Sequence, residues 1–202
     1  MPIIEGLITG IGTVIFLGPV FFTLLQVTLR QGRITGLGVA TGILMSDVLI
    51  VSLLYFGAAD FFRNDDTQRW LAVVGSVLLL ALGLKYMIKP QGNLEVKHKT
   101  NVTGVSGAFG KGFLVNFVNP FVFFVWMAIL TYAEESFDSS FEISAYLVAA
   151  LAGIFITDLL KVFLADKLKT LLNPTFLKRL FVGIGAILIL FSLRLAYFAL
   201  SQ

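Results

Sequence analysis

The chain has 202 residues, 57% of them hydrophobic and only 13% charged, with Phe alone occurring 20 times and a formal net charge of +3. So apolar a sequence cannot present the polar surface of a soluble globule, which leaves an integral membrane protein. Cysteine is absent, removing disulfides, thiolate metal ligands and thiol redox chemistry together, and the small positive charge needs no nucleic acid to explain it.

Windows of roughly 20 residues give six apolar spans: Ile3 to Leu25, Gly36 to Ala58, Trp70 to Ile88, Phe109 to Thr131, Ile143 to Leu164 and Leu177 to Leu200. They are apolar all round and helix-length, whereas a transmembrane β-barrel shows segments of about 10 residues alternating apolar and polar. The expected fold is an all-α integral membrane protein. No Lys or Arg precedes the first span and its apolar run exceeds that of a signal peptide, so it reads as a retained helix.

Span one carries Gly18-Pro19 and span two carries Asp47 within Gly42-Ile43-Leu44-Met45-Ser46-Asp47. Span three ends on Gly83-Leu84-Lys85, and residues 89–107, with Pro90, glycines and mixed charge, read as a cytoplasmic linker. Span four then carries Asn116, Asn119 and Pro120; span five repeats the acidic motif as Gly153-Ile154-Phe155-Ile156-Thr157-Asp158, with Lys161 one turn on; span six ends on Ser192-Leu193-Arg194. The order is proline helix, acid helix, basic-ended helix, twice. Because three crossings is an odd number, the second copy enters from the opposite side, giving a 3+3 inverted repeat with residues 1–88 as one half and 108–202 as the other.

Loops after spans one, three and five carry Arg30, Arg33, Lys89, Lys97, Lys99, Lys111, Lys167, Lys169, Lys178 and Arg179, against Arg63 and Arg69 on the other side, which gathers Glu5, Asp60, Asp65, Asp66, Glu134, Glu135, Asp138 and Glu142. The basic loops are expected in the cytoplasm and both termini outside.

A proline within a span removes one N–H and clashes with the carbonyl four residues back, on Ile15 for Pro19 and on Asn116 for Pro120. Gly18 and Asn119, just before them, are themselves pushed out of α geometry, so helices one and four are expected to break and restart. A simple kink is the alternative for either proline alone. Half-helix N-termini near the bilayer centre would suit a carboxylate or other anion.

An Asp at the centre of a span costs roughly 2.5 to 3.5 kcal/mol on insertion scales, so Asp47 and Asp158 must face the bundle interior, water or a partner. A carboxyl held there can alternate between binding a cation and carrying a proton. Asp158 and Lys161 are spaced for an ion pair, though Lys161 could instead snorkel to the interface, where Lys85 and Arg194 also read as anchors. Thr23, Gln26, Thr41, Ser46 and Thr157 are further polar groups on these helices; Thr41 and Ser46 are expected to bond back to their own backbone. The amides of Asn116 and Asn119 demand partners and suggest a wet or substrate-lined interior. Glycines 6, 10, 12, 18, 36, 38 and 42 are expected to let spans one and two approach closely.

Gly18-Pro19, the run Gln31-Gly32-Arg33-Ile34-Thr35-Gly36-Leu37 leading into Gly42 to Asp47, and Gly112-Phe113-Leu114-Val115-Asn116 leading into Asn119-Pro120 stand in an order that resembles the lysine exporter (LysE/RhtB-type) family over nearly the whole chain. The resemblance implies export of amino acids or related small metabolites across a bacterial-type inner membrane, driven by the proton gradient, with no cofactor. The family often reads Pro-Gly-Pro in span one, where this chain has Leu17 first, and commonly has Lys after the Asn-Pro of span four, where this chain has Phe121. A more apolar site would favour hydrophobic amino acids or another small organic molecule.

The expected partners are a small-molecule substrate and the lipid bilayer, with no nucleic acid, and a homodimer is a candidate assembly. A zwitterion would set its carboxylate toward Gly18-Pro19 and Asn119-Pro120 and its ammonium toward Asp47 or Asp158, the two candidate proton carriers. A divalent-metal exporter using both aspartates as hard ligands is the rival, with a thin ligand set because the single histidine, His98, lies in the linker. A reporter that works only in the cytoplasm, fused to Gln202, should be inactive; activity there would reverse the orientation.

Overall fold

The computed structural model describes residues 1–15, 18–57, 65–88, 104–165, 167 and 174–201. Leu17, Asp60, Arg63, Lys169 and the linker up to residue 103, with Lys89, Pro90, Lys97, His98 and Lys99, lie outside the described residues. Every described element is helical: α1 (Pro2–Gly12) with a 3-10 turn at Thr13–Ile15, α2 (Pro19–Gln31), α3 (Arg33–Gly57), α4 (Asp65–Ile88), α5 (Gly104–Phe117), α6 (Pro120–Ser136), α7 (Ser140–Phe163) and α8 (Pro174–Ser201).

Two helices, Arg33–Phe56 and Ser140–Phe163, are long and apolar enough to cross a bilayer, and α5 with α6 makes a third span if the bent pair is taken as one. The shorter apolar pieces Pro2–Gly12, Gly75–Ile88 and Phe181–Arg194 lie where spans one, three and six are expected. Side chains such as Ile3, Ile8, Leu53, Leu114, Val148 and Leu190 are exposed, as lipid-facing positions of a multi-pass membrane protein should be.

Both prolines start helices. Pro19 stands at the first position of α2, where its missing N–H costs nothing, after an extended Gly18 at φ −104°, ψ −168°. Pro120 does the same for α6 after Asn119 at φ −87°, ψ 106°, the extended geometry that a residue before proline prefers. Across this second break the axis turns by 68°. The α2–α3 turn runs through Gly32 at φ +90°, a backbone region that side chains rarely enter.

The chain divides into two compact units, one of Met1–Phe56 with Val96–Leu168 and one of Gly57–Glu95 with Lys169–Gln202. In the first, α2 lies in the core: its Leu24 and Val27 pack with Val39, Ala40 and Ile43 of α3, Ala108 of α5 and Val162 of α7. Around it, α1 packs on α7 and α5 on α3. A Cβ on Gly6 would strike the carbonyl of Tyr146, one on Gly10 that of Ala150, and one on Gly153 that of Leu7. In the other pair, Gly42 abuts the carbonyl of Phe109, Gly112 that of Val39 and Gly38 that of Val105. Contacts advance in the same direction on both helices, so each pair runs parallel.

Spans one and two do meet, through Leu24 of α2 against α3, but the glycines expected to bring them together mostly serve other pairs: Gly6 and Gly10 face α7, Gly38 and Gly42 face α5, and Gly36 alone of that set faces α2, at Thr28. The small-residue faces of α1 and α3 are used on parallel helices from later in the chain, α7 and α5. In the second unit, α4 and α8 run antiparallel. Gly83 and Gly185 each abut the other's carbonyl, Ser192 Oγ donates to the carbonyl of Ser76 at 2.8 Å, and Tyr86 meets Phe181 edge to face at 5.1 Å.

With no lipid-driven hydrophobic force between helices, such backbone contact supplies the packing. Gly42→Ala and Gly153→Ala should each destabilise the protein by about 1–3 kcal/mol through overpacking, read as a lowered melting temperature in detergent. Gly110→Ala, with open space around the new methyl, should stay within about 0.5 kcal/mol of the parent.

Candidate functional site

Asp47 sits mid-helix on α3, 3% exposed. Its Oδ1 accepts the side-chain amide N–H of Asn116 on α5 at 2.8 Å and the indole N–H of Trp126 on α6 at 2.9 Å. The Asn116 amide also donates to Ser46 Oγ at 3.1 Å and lies 3.5 Å from the carbonyl of Ile43. Among the described residues, no donor reaches Asp47 Oδ2.

The helix break creates this cluster. In an uninterrupted helix Asn116 and Trp126 would stand about 15 Å apart along the axis, too far for one atom to touch both. The 68° turn at Val118–Asn119 brings residues from either side of the break onto a single oxygen. The carbonyl of Asn116, released by Pro120, accepts instead from the N–H of Asn119 at 3.1 Å. Asn119 is spent on the break itself: its Oδ1 accepts the N–H of Phe121 at 3.2 Å, capping α6. It does not reach the acid. Gly18 offers α2 no side-chain cap.

Asp158, 5% exposed on α7, is paired with Lys161 one turn along, Nζ to Oδ1 at 2.8 Å. The ammonium lies 6.0 Å from the centre of the Phe21 ring, in the first turn of α2 beyond Pro19, within cation–π reach. Lys161 is thus an inward ion-pair partner and not a snorkelling anchor. The two acids therefore differ chemically: Asp158 has a cationic partner, and Asp47 has neutral donors.

Of the other expected polar groups, Thr23 donates to Pro19, Thr41 to Leu37 and Thr157 to Ile154, all backbone carbonyls of their own helices. Gln26 is half-buried. Ser46 corrects the expectation of a self-bonded hydroxyl: it is fully buried and accepts from Asn116. A cavity of about 400 Å³ opens beside the end of α1, lined by Thr9, Thr13, Ile129, Tyr132 and Tyr146 among others, with Tyr146 donating to Thr9 at 3.0 Å. Among the described residues no three His, Asp or Glu side chains gather as a metal site.

Sequence reasoning missed Trp126. The signal was present, because an indole in mid-span carries an N–H that hydrocarbon cannot satisfy, and a buried tryptophan ordinarily finds an acceptor. At 1% exposure, Trp126 finds the acid.

Residues 11–198 match the model of the LysE type translocator family. The chain is 24% identical over 173 residues, covering 84% of itself and 80% of the relative, to the "Putative amino acid efflux protein YcgF" of Bacillus subtilis (strain 168). No solved structure matches. Spanning almost the whole chain, the family match makes this a membrane transporter and not an enzyme: the protein belongs to the LysE type translocator family.

Proposed function

We propose that this protein exports amino acids or closely related small metabolites from the cytoplasm in exchange for protons, by alternating access about the acids of α3 and α7. The carrying observation is the Asp47 carboxyl, sealed from lipid yet, among the described residues, bonded only by the neutral donors of Asn116 and Trp126, which leaves its charge to be met by an ammonium or a proton. The substrate carboxylate lies toward the helix starts at Gly18-Pro19 and Asn119-Pro120, where backbone N–H groups and the helix dipole favour an anion. The efflux relative and the family support the substrate class and direction.

An inverted repeat about the site accounts for the packing. Gly42 and Gly153, equivalent in the two acidic motifs, each abut a carbonyl of the first half-helix of the opposite repeat, at Phe109 and at Leu7. The parallel pairs α1 with α7 and α3 with α5, and the antiparallel pair α4 with α8, are those that two oppositely inserted three-span halves require. The basic loops face the cytoplasm and the termini the outside. Rocking one half against the other then exposes the site to each side in turn.

Efflux from reconstituted vesicles, scanned over amino acids with and without a pH gradient, tests this reading; export indifferent to the gradient for every amino acid would end it. Asp47→Asn should reduce gradient-driven export to background while the protein still inserts, and full transport would remove this carboxyl from the mechanism. Trp126→Phe, which deletes one hydrogen bond to a charged group worth about 1.5–3 kcal/mol that steadies the vacant carboxyl more than the occupied one, should tighten apparent substrate affinity by up to about ten- to a hundredfold. Unchanged affinity would make the indole a packing residue alone.

A further inference from the structure

The two acids occupy equivalent places in the repeated motif but have unlike partners, and the sequence shows why. Counting from the paired prolines, the positions that hold Asn116 and Trp126 in the second half hold Ile15 and Leu25 in the first. Neither aliphatic side chain can donate a hydrogen bond, so the broken helix of the first half has nothing to offer Asp158 at those places. Counting from the paired acids, Lys161 in the second half answers Ile50 in the first. Asp158 is therefore compensated by a cation on its own helix, and Asp47 by neutral dipoles from the opposite one.

Resting on the reading of the protein as a proton-coupled exporter, we propose that Lys161 is a built-in counter-ion that permanently occupies the Asp158 seat. Asp47 is then the single exchangeable position of the carrier, taking one proton or one substrate ammonium at a time. Asp158 has its cation at 2.8 Å, and among the described residues Asp47 has no ionic partner, its oxygen accepting from Asn116 and Trp126. The ion pair cancels, so one negative charge awaits compensation with Asp47 ionised and none once a proton or a substrate ammonium arrives there, the carboxylate of a zwitterion being met separately at the helix starts. A carboxyl compensated in this way is the form that passes through an apolar interior at least cost. Exchange follows as one proton in for one ammonium group out, bound in turn at the same carboxyl, with Oδ1 held by Asn116 and Trp126 and Oδ2 left for the incoming group.

Lys161 acts through Asp158 and does not touch substrate, so it is a positioning residue, and charge counting distinguishes this role from plain support of the fold. Proton-to-substrate ratios are read in vesicles from a trapped pH indicator and a radiolabelled amino acid that the parent protein exports. The parent ratio should be one. Lys161→Gln strands a second acid that must hold a proton on both legs of the cycle, so the ratio stays at one while export comes to require that extra proton and should fall at least tenfold at an alkaline internal pH where the parent still exports. Asp158→Asn strands a cation beside Asp47, and coupled export should fall at least tenfold. The double variant Asp158→Asn with Lys161→Gln removes both charges and should keep the ratio at one without the added loss at alkaline pH, whatever its rate. A double variant no better coupled than Asp158→Asn alone would overturn the assignment, as would a Lys161→Gln variant with the parent's pH dependence, or coupled export surviving Asp47→Asn. Failure of the parent to couple export to protons would instead refute the exporter reading beneath it.

Discussion

A carboxyl group placed in the middle of a membrane must be given partners, and the geometry of the first unit is organised around giving them to Asp47. Its donors come from two helices that a continuous rod could not bring together, so the break at Asn119-Pro120 is a requirement of the acid's environment. The break in turn needs its own polar groups settled, which Asn119 does by capping α6 and by donating its backbone N–H to the carbonyl that Pro120 releases. Backbone-to-backbone packing through Gly42 and Gly112 then holds α5 against α3 closely enough for Asn116 to reach across. Proline, cap, glycine and amide form a single chain of dependence ending on one oxygen.

Much of this could be read from the residues. Proline in mid-span together with the residue before it located both helix breaks, because the loss of an N–H and the clash at the preceding residue are local effects that no tertiary context removes. The isolated acids located the polar centre, since hydrocarbon offers no tolerance for an unpartnered carboxyl. The spacing of Asp158 and Lys161 allowed either an ion pair or a snorkelling lysine, and the structure shows the pair.

What could not be read was the choice of neighbours. Gly6 and Gly10 announce a smooth helix face but not which helix will lie on it, and the expectation of the adjacent span was wrong because helices from opposite halves run parallel there. Ser46 was expected to bond its own backbone and Trp126 was overlooked for a related reason: a hydroxyl can always bond to its own helix, and an indole in a greasy span resembles ordinary packing. The packing of α5 on α3 decides that Ser46 meets Asn116, and the turn at residues 118–119 that Trp126 meets Asp47.

Because the Asp47 oxygen is held by Asn116 before the fracture and by Trp126 after it, the angle of the fracture and the solvation of the acid are one mechanical coordinate. A change in angle that moved α6 away from α5 would stretch the indole bond while leaving the amide in place, stripping the carboxyl of half its grip. On the proposed reading of Asp47 as the exchangeable seat, arrival of a positive charge would relax the demand for both donors and free the joint to flex. The crooked α5–α6 pair would then be a latch whose spring is electrostatic, loosened by occupancy and tightened by vacancy.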